Sequence, residues 1–335
     1  MRLMNLPMTA MALAALAALS ASAQPAADAP SPPPPTARAS SDDFAALPVY
    51  PEAARLEAFL DDEAVFVEKA RTFDRLHTRL ADLLLARATA LQREGGTGEG
   101  AALVEDARKN LALARQAYEL GLRRYPDNPS LQNYLGELLY DRFDEQQRAV
   151  ELWLKAVAAD AAHGRAHNNL GIHCFHVGQY AEGLKHLDAA LAQEPDNPDY
   201  LFNMAQMYLV HWPNLMTLRQ WTAAETYAEA MRVSGKAAAL APKDFELARD
   251  HALNFFAAER MNTQPDWKKA AKAWTAARTA ARSDDEVFYT WMNEGRVWLR
   301  AQDGREAERC FLEAVALRPQ SGLAQGLLTD ARSLK

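Results

Sequence analysis

A four-residue sequence that recurs at a fixed distance constrains the fold of this chain more than any other feature. Pro-Asp-Asn-Pro begins at Pro126 and again at Pro195, 69 residues later. Two units of about 34 residues fit into that distance, and periods of 20 to 50 residues are typical of repeat proteins. A period of this length, with proline in the turns, predicts a stack of repeated units in which each unit buries its apolar face against the next.

The segments between these turns have the periodicity of helices. From Glu52 onward the sequence is rich in Ala and Leu, and apolar residues return at helical spacing rather than at every second position. One stripe along a predicted helix, for example, carries Leu76, Leu80, Leu83, Leu84 and Leu91. The stretch 61–93 contains neither Gly nor Pro, which predicts one long helix, with a flexible turn at 95–98.

The last complete unit carries a regular pattern of large and small residues. It contains Trp291, Gly295, Trp298, Ala307, Phe311, Ala314 and Pro319. In type, order and spacing these residues resemble the tetratricopeptide repeat, in which two helices pair through a small residue on each. The resemblance covers roughly residues 100–335 and is clearest in the units 129–161, 164–197, 198–242 and 288–321.

This resemblance implies an all-α fold. We expect a right-handed superhelical solenoid of tetratricopeptide-like helix pairs over residues 52–335, with about six pairs and a capping helix from Ser321 to Leu334. Two units depart from the pattern. The unit 129–161 has one extra residue in its turn, and the unit 198–242 contains 13 inserted residues.

The N-terminal segment predicts export from the cytoplasm. Arg2 precedes an apolar run from Met8 to Leu19, and the small-x-small sequence that ends at Ala23 follows. We interpret residues 1–23 as a signal peptide, so the mature protein is expected in the periplasm or outside the cell, without an integral membrane segment. The alternative is a signal retained as an anchor. Residues 24–51 hold eight of the 17 prolines and predict a disordered, Pro-rich linker.

Charge and motifs exclude several functions. The chain has 37 Lys and Arg against 44 Asp and Glu, a net charge of −7, and it lacks the basic tract that nucleic-acid binding requires. Two cysteines cannot form a disulfide framework. The sequence has no Gly-rich phosphate loop, paired-histidine zinc helix or nucleophile elbow. We therefore predict neither an enzyme nor a cofactor.

The resemblance also indicates where a partner would bind. In this family the first helix of each pair lines a concave groove, and the residue two positions before the small Gly or Ala tends to point into it. An amide both donates and accepts hydrogen bonds, and an arginine can hold a carboxylate through two of them. We predict a non-enzymatic scaffold that binds a peptide segment or partner protein there. The predicted groove residues are Asn133, Arg165, Asn168, Asn169, Asn203, Asn293 and Arg296.

Two other functions remain open at this stage. Six of the eight histidines lie in the cluster from His163 to His211, which favours a metal or haem carrier as an alternative. Within it, His173 and His176 are the candidate metal ligands, because their i,i+3 spacing places them on one helix face, whereas His167 falls at a packing position of the repeat. The second alternative is an accessory subunit that recognises substrates for a separate enzyme.

Overall fold

The computed structural model describes residues 51–94 and 97–334, and every regular element within them is helical. The prediction of an all-α repeat solenoid is confirmed, whereas its handedness remains a prediction. The predicted signal peptide and nearly all of the predicted linker lie outside the described residues. Pro51, at the linker's end, instead begins a helix. Packing divides the described chain into two compact units, one ending at Gln193 and the other beginning at Glu194.

The described part of the first unit contains three helix pairs. A short helix and a 3-10 turn precede the long helix predicted from the sequence, which starts after its cap at Asp62. The elements are α1 (Pro51–Ala54), the 3-10 turn Arg55–Phe59, α2 (Glu63–Arg93), α3 (Thr97–Arg124), α4 (Pro129–Leu138), the π turn Leu139–Phe143, α5 (Gln146–Ala159), α6 (Gly164–His176) and α7 (Tyr180–Gln193). The pairs are α2 with α3, α4 with α5, and α6 with α7.

The described part of the second unit contains three further pairs and a terminal helix. Its helices are α8 (Pro198–Val210), α9 (Trp212–Arg219), α10 (Ala223–Leu240), α11 (Phe245–Asn254), α12 (Ala257–Arg260), α13 (Trp267–Ala280), α14 (Asp284–Arg300), α15 (Gly304–Leu317) and α16 (Gly322–Ser333). The pairs are α8 with α10, α11 with α13, and α14 with α15, and α16 packs on α15 as a cap. The inserted residues form α9, and the ring of Trp221 after it packs 5.7 Å from that of Tyr208.

The recurring Pro-Asp-Asn-Pro is a helix start. In both copies the asparagine is the N-cap and the second proline is the first helical residue. The side chain of Asn128 accepts a hydrogen bond from the backbone N–H of Leu131 at 2.8 Å, and Asn197 accepts from Tyr200 at 3.3 Å. Proline suits this position because its fixed φ is already helical and the missing N–H would have had no partner in the helix.

Small residues let the two helices of a pair come close. A Cβ placed on Gly171 would lie 3.1 Å from the carbonyl oxygen of Gly183, and a Cβ on Gly183 would lie 3.0 Å from that of Gly171. In the same way, Gly136 lies under the indole of Trp153 and Gly295 under the ring of Phe311. These contacts fall at the predicted small and large positions, so the predicted pairing is confirmed.

Most of one predicted stripe is not in the core. Leu76 and Leu83 of α2 are 63% and 53% exposed, and Leu80 is exposed as well. The buried face of α2 carries smaller or polar residues such as Ala70, Asp74 and Ala81. The physical reason is position, because α2 opens the stack and no earlier pair among the described residues covers its outer face. No helix in the described part of the chain is long and apolar enough to cross a bilayer.

We predict that Gly171→Ala destabilises the protein by about 1–3 kcal/mol, because the added methyl group would meet Leu187 at 2.7 Å as well as the backbone of Gly183. The matched control is Gly326→Ala in α16, where the methyl group meets no atom within 4 Å. That variant should be stabilised by up to about 1 kcal/mol, since alanine has the higher helix propensity. Urea unfolding of both variants measures the difference, and equal effects would contradict the packing role of Gly171.

Candidate functional site

In the first unit, four of the predicted groove residues lie around one carboxylate. Asn133 on α4 donates to Glu137 at 2.9 Å, and Asn169 on α6 donates to the same carboxylate at 3.0 Å. Arg165 donates to both of its oxygens, at 3.0 and 3.1 Å. Asn168 lies beside them and donates weakly to the side-chain oxygen of Asn169 at 3.5 Å. Glu137 therefore joins the first helices of two consecutive pairs.

These amides are engaged inside the protein. Asn133 is 0% and Asn169 2% exposed. Both N–H groups of Asn169 are used, because it donates to Asn133 at 3.0 Å as well as to Glu137. We did not predict Glu137, although its place four residues after Asn133 and directly after Gly136 puts it on the same helix face.

Glu137 is ionised by its partners. Burial alone would raise the pKa of its carboxyl, but the charge of Arg165 and the hydrogen bonds from Asn169 and Asn133 outweigh burial, so the pKa lies below its ordinary value. Tyr134 completes the surface, with its ring 5.5 Å from the guanidinium carbon of Arg165 and 4.5 Å from that of Arg71.

The second unit contains a related contact, in which an amide on the earlier first helix donates to a carboxylate on the next one. Gln206 on α8 donates through its side-chain nitrogen to both carboxylate oxygens of Asp250 on α11, at 2.8 and 2.9 Å. Asn254 donates to the same carboxylate at 3.1 Å. Burial raises the pKa of Asp250 to about 7, against the opposing effect of these hydrogen bonds and of Arg249. Asn203, a predicted groove residue, lies one helical turn before Gln206 and is partly buried.

The remaining predicted residues lie together on α14. Asn293 donates to the backbone carbonyl of Tyr289 at 2.8 Å and accepts a hydrogen bond from Arg296 at 3.2 Å. Burial lowers the pKa of Arg296, partly offset by Tyr289. Within the described part of the chain, no carboxylate pairs with Arg296. It differs in this respect from Arg165, whose charge is neutralised by Glu137.

The histidine cluster separates into distinct contacts. His163 caps α6 by accepting from the N–H of Ala166 at 3.2 Å. The Nδ1 atoms of His167 and His186 lie 2.8 Å apart, so one ring donates a hydrogen bond to the other. His173 and His176 instead contact Tyr140. No group of three or more His, Cys, Asp or Glu side chains suited to a metal ion occurs among residues 51–94 and 97–334.

We predict that Glu137→Gln lowers the free energy of unfolding by about 2 kcal/mol or more, because a half-buried arginine loses its charged partner and several charge-assisted hydrogen bonds weaken. The control is Glu182→Gln in α7 of the same unit, where the carboxylate and its partner Lys185 are both exposed. Its effect should stay below about 0.5 kcal/mol. Urea unfolding near neutral pH tests this, and similar losses in the two variants would contradict the role of Glu137.

The raised pKa of Asp250 predicts a pH dependence. Between the unfolded-state pKa of 3.8 and the folded-state value of about 7, the folded protein holds a proton that the unfolded chain releases. Stability from this group is therefore complete at low pH and is lost as the pH rises through about 7. Asp250→Asn removes the ionisation, so the variant should gain stability relative to the wild type as the pH rises over this range. Unfolding curves at several pH values measure the difference, and a constant difference would be the contrary result.

Comparison with known proteins gives similarity of fold only. No protein-family model matches the sequence, and no curated protein matches it. Among solved structures, the C-terminal part of a TPR repeat-containing protein from Cytophaga hutchinsonii is 14% identical over 82% of this chain and 99% of its own, with a TM-score of 0.49. YrrB, described as a TPR protein with an unusual peptide-binding site, is 16% identical over 63% and 97%, with a TM-score of 0.46.

A third similar structure is that of pilF from Pseudomonas aeruginosa, with 18% identity over 76% of this chain and 99% of its own and a TM-score of 0.43. All three scores are below 0.5, so the assignment of the fold depends on the contacts within this chain. Its helix pairs, its glycines beneath aromatic rings and its cap agree with the sequence pattern. The chain has the fold of a tetratricopeptide-repeat protein.

Proposed function

We propose that this protein is a non-enzymatic scaffold that binds an acidic peptide segment or the acidic surface of a partner protein along the first helices of its second unit. The observation that carries this proposal is Arg296. A guanidinium has five N–H donors, and the hydrogen bond to Asn293 uses one of them. Because burial disfavours a lone charge, a carboxylate from a partner would relieve the cost of keeping Arg296 partly desolvated.

Neighbouring groups support a carboxylate ligand at this place. Tyr289 and Asn293 lie on the same face of α14 as Arg296. Asn203 on α8 adds a further polar side chain to the first helices of this unit. In the first unit, by contrast, Asn133, Asn169 and Arg165 already contact Glu137. There we propose that the ring of Tyr134 contacts a partner, with Arg165, Asn168 and the two amides holding the surface in shape.

We further propose that the scaffold acts outside the cytoplasm, in the periplasm or as a secreted protein. The support is the sequence of residues 1–23, in which a basic residue, a short apolar run and a small-x-small sequence occur in the order of a signal peptide. The Pro-rich residues 24–50 would then separate the cleavage point from the helical body.

We predict that Arg296→Gln weakens binding of acidic peptides by about tenfold or more, since hydrogen bonds to a charged group contribute about 1.5–3 kcal/mol. The assay is fluorescence anisotropy with peptides rich in Asp and Glu, each paired with a peptide in which Asn and Gln replace them. Arg305→Gln is the control, because Arg305 is an exposed arginine on α15, a second helix. Equal affinity for the two peptide classes, or an equal loss in both variants, would contradict the proposal.

A further inference from the structure

The extra residue in the unit 129–161 produces a local change of helix type. After α4 the chain continues as the π turn Leu139–Phe143, which ends at Asp144 in the left-handed conformation with a φ of 57°. A π turn accommodates one residue more than an α-helical turn and often marks a functional site. Its apolar ends, Leu139 and Phe143, are fully buried, while Tyr140 between them is only partly buried.

The side chain of Tyr140 meets two histidines of the next pair. Its hydroxyl oxygen lies 3.4 Å from Nδ1 of His173 and 3.2 Å from Nδ1 of His176. The two histidines occupy the last turn of α6, and the ring of His173 stands edge-on to that of Tyr140 at 5.9 Å. One oxygen and two ring nitrogens, which are three potential metal ligands, therefore converge at one place.

Helix pairing does not account for the two histidines. The ring of Tyr140 packs 5.2 Å from that of Trp153, but the small residues that join the helices, Gly136, Gly171 and Gly183, contact other side chains. His176 is exposed and His173 is half-buried. The cluster also differs from the other histidine contacts, in which His163 caps a helix and His167 contacts His186.

We propose that Tyr140, His173 and His176 form a binding site for a late first-row divalent metal ion, with Cu²⁺ bound most tightly. Two ligands at about 2.1 Å from a metal are separated by about 3.0 Å at the right angle of a tetragonal Cu²⁺ site and by about 3.4 Å at the tetrahedral angle. The two oxygen–nitrogen distances, 3.2 and 3.4 Å, lie within a few tenths of an ångström of this range. A ligand set of two imidazoles and one oxygen suits Cu²⁺, which heads the affinity order of these metals.

A histidine binds a metal ion through the unprotonated nitrogen of its neutral ring. When the ion binds, the phenol of Tyr140 releases its proton to solvent, and the phenolate oxygen becomes the third ligand. The exposure of His176 leaves a further coordination position open to water.

The test is titration of the whole chain with Cu²⁺, followed by calorimetry and visible absorption. The wild type should bind one ion at a saturable site and show a phenolate-to-copper charge-transfer band. Tyr140→Phe should lose the band and weaken binding by more than about tenfold, the loss that removal of even an outer-shell partner brings. His173→Gln and His176→Gln should weaken it similarly, and Zn²⁺ should bind more weakly than Cu²⁺.

The control is His163→Asn, which removes a histidine of the same helix while keeping a good N-cap. It should bind Cu²⁺ as the wild type does. Circular dichroism shows whether each variant remains folded, and the phenylalanine variant changes only one hydroxyl group. Unchanged affinity and an unchanged spectrum in Tyr140→Phe would overturn the proposal, as would loss of the site in His163→Asn alone. The outcome is independent of the peptide assay, because neither Arg296 nor α14 takes part.

Discussion

The close approach of two helices through small residues is the contact on which the rest of this structure depends. Where Gly171 faces Gly183, the backbones are so near that a single added carbon would touch the opposite carbonyl group. Aromatic rings such as those of Trp153 and Phe311 then cover the glycine of the opposite helix and are themselves fully buried. One pair leaves an apolar face uncovered, so pairs accumulate until a cap such as α16 closes the end.

A second type of contact joins the first helices of consecutive pairs through polar side chains. In the first unit a glutamate on one first helix accepts from an asparagine on the next, as Glu137 does from Asn169. In the second unit the amide comes first, and Gln206 donates to Asp250. Each arrangement pairs buried amide donors with carboxylate oxygens on the first helices. A polar side chain on these helices is therefore not automatically available to a ligand. Arg165 is already bound to Glu137, whereas Arg296 has no carboxylate partner among the described residues.

Two insertions into the repeat form elements that the regular units lack. An inserted residue becomes the π turn that places Tyr140 against His173 and His176, and a longer insertion becomes the helix Trp212–Arg219. Leu139 and Phe143 of the π turn are buried in the core, whereas Tyr140 is only partly buried and also contacts the two histidines. For this reason we place the proposed metal site at the π turn and the proposed partner surface on the regular first helices.

The sequence by itself determined the type and placement of the helices. Periodicity, the Asn-Pro helix starts and the spacing of small and large residues are local signals, and Gly295, Trp298 and Phe311 could be assigned from spacing alone. The sequence also put Asn133, Arg165 and Asn169 on one surface. Only the tertiary structure decided that these three converge on Glu137, that Leu76 and Leu83 face outward, and that Tyr140 reaches His173. The physical reason is that these contacts join residues of different helices or depend on which neighbour covers a face, and the spacing along one chain does not specify either.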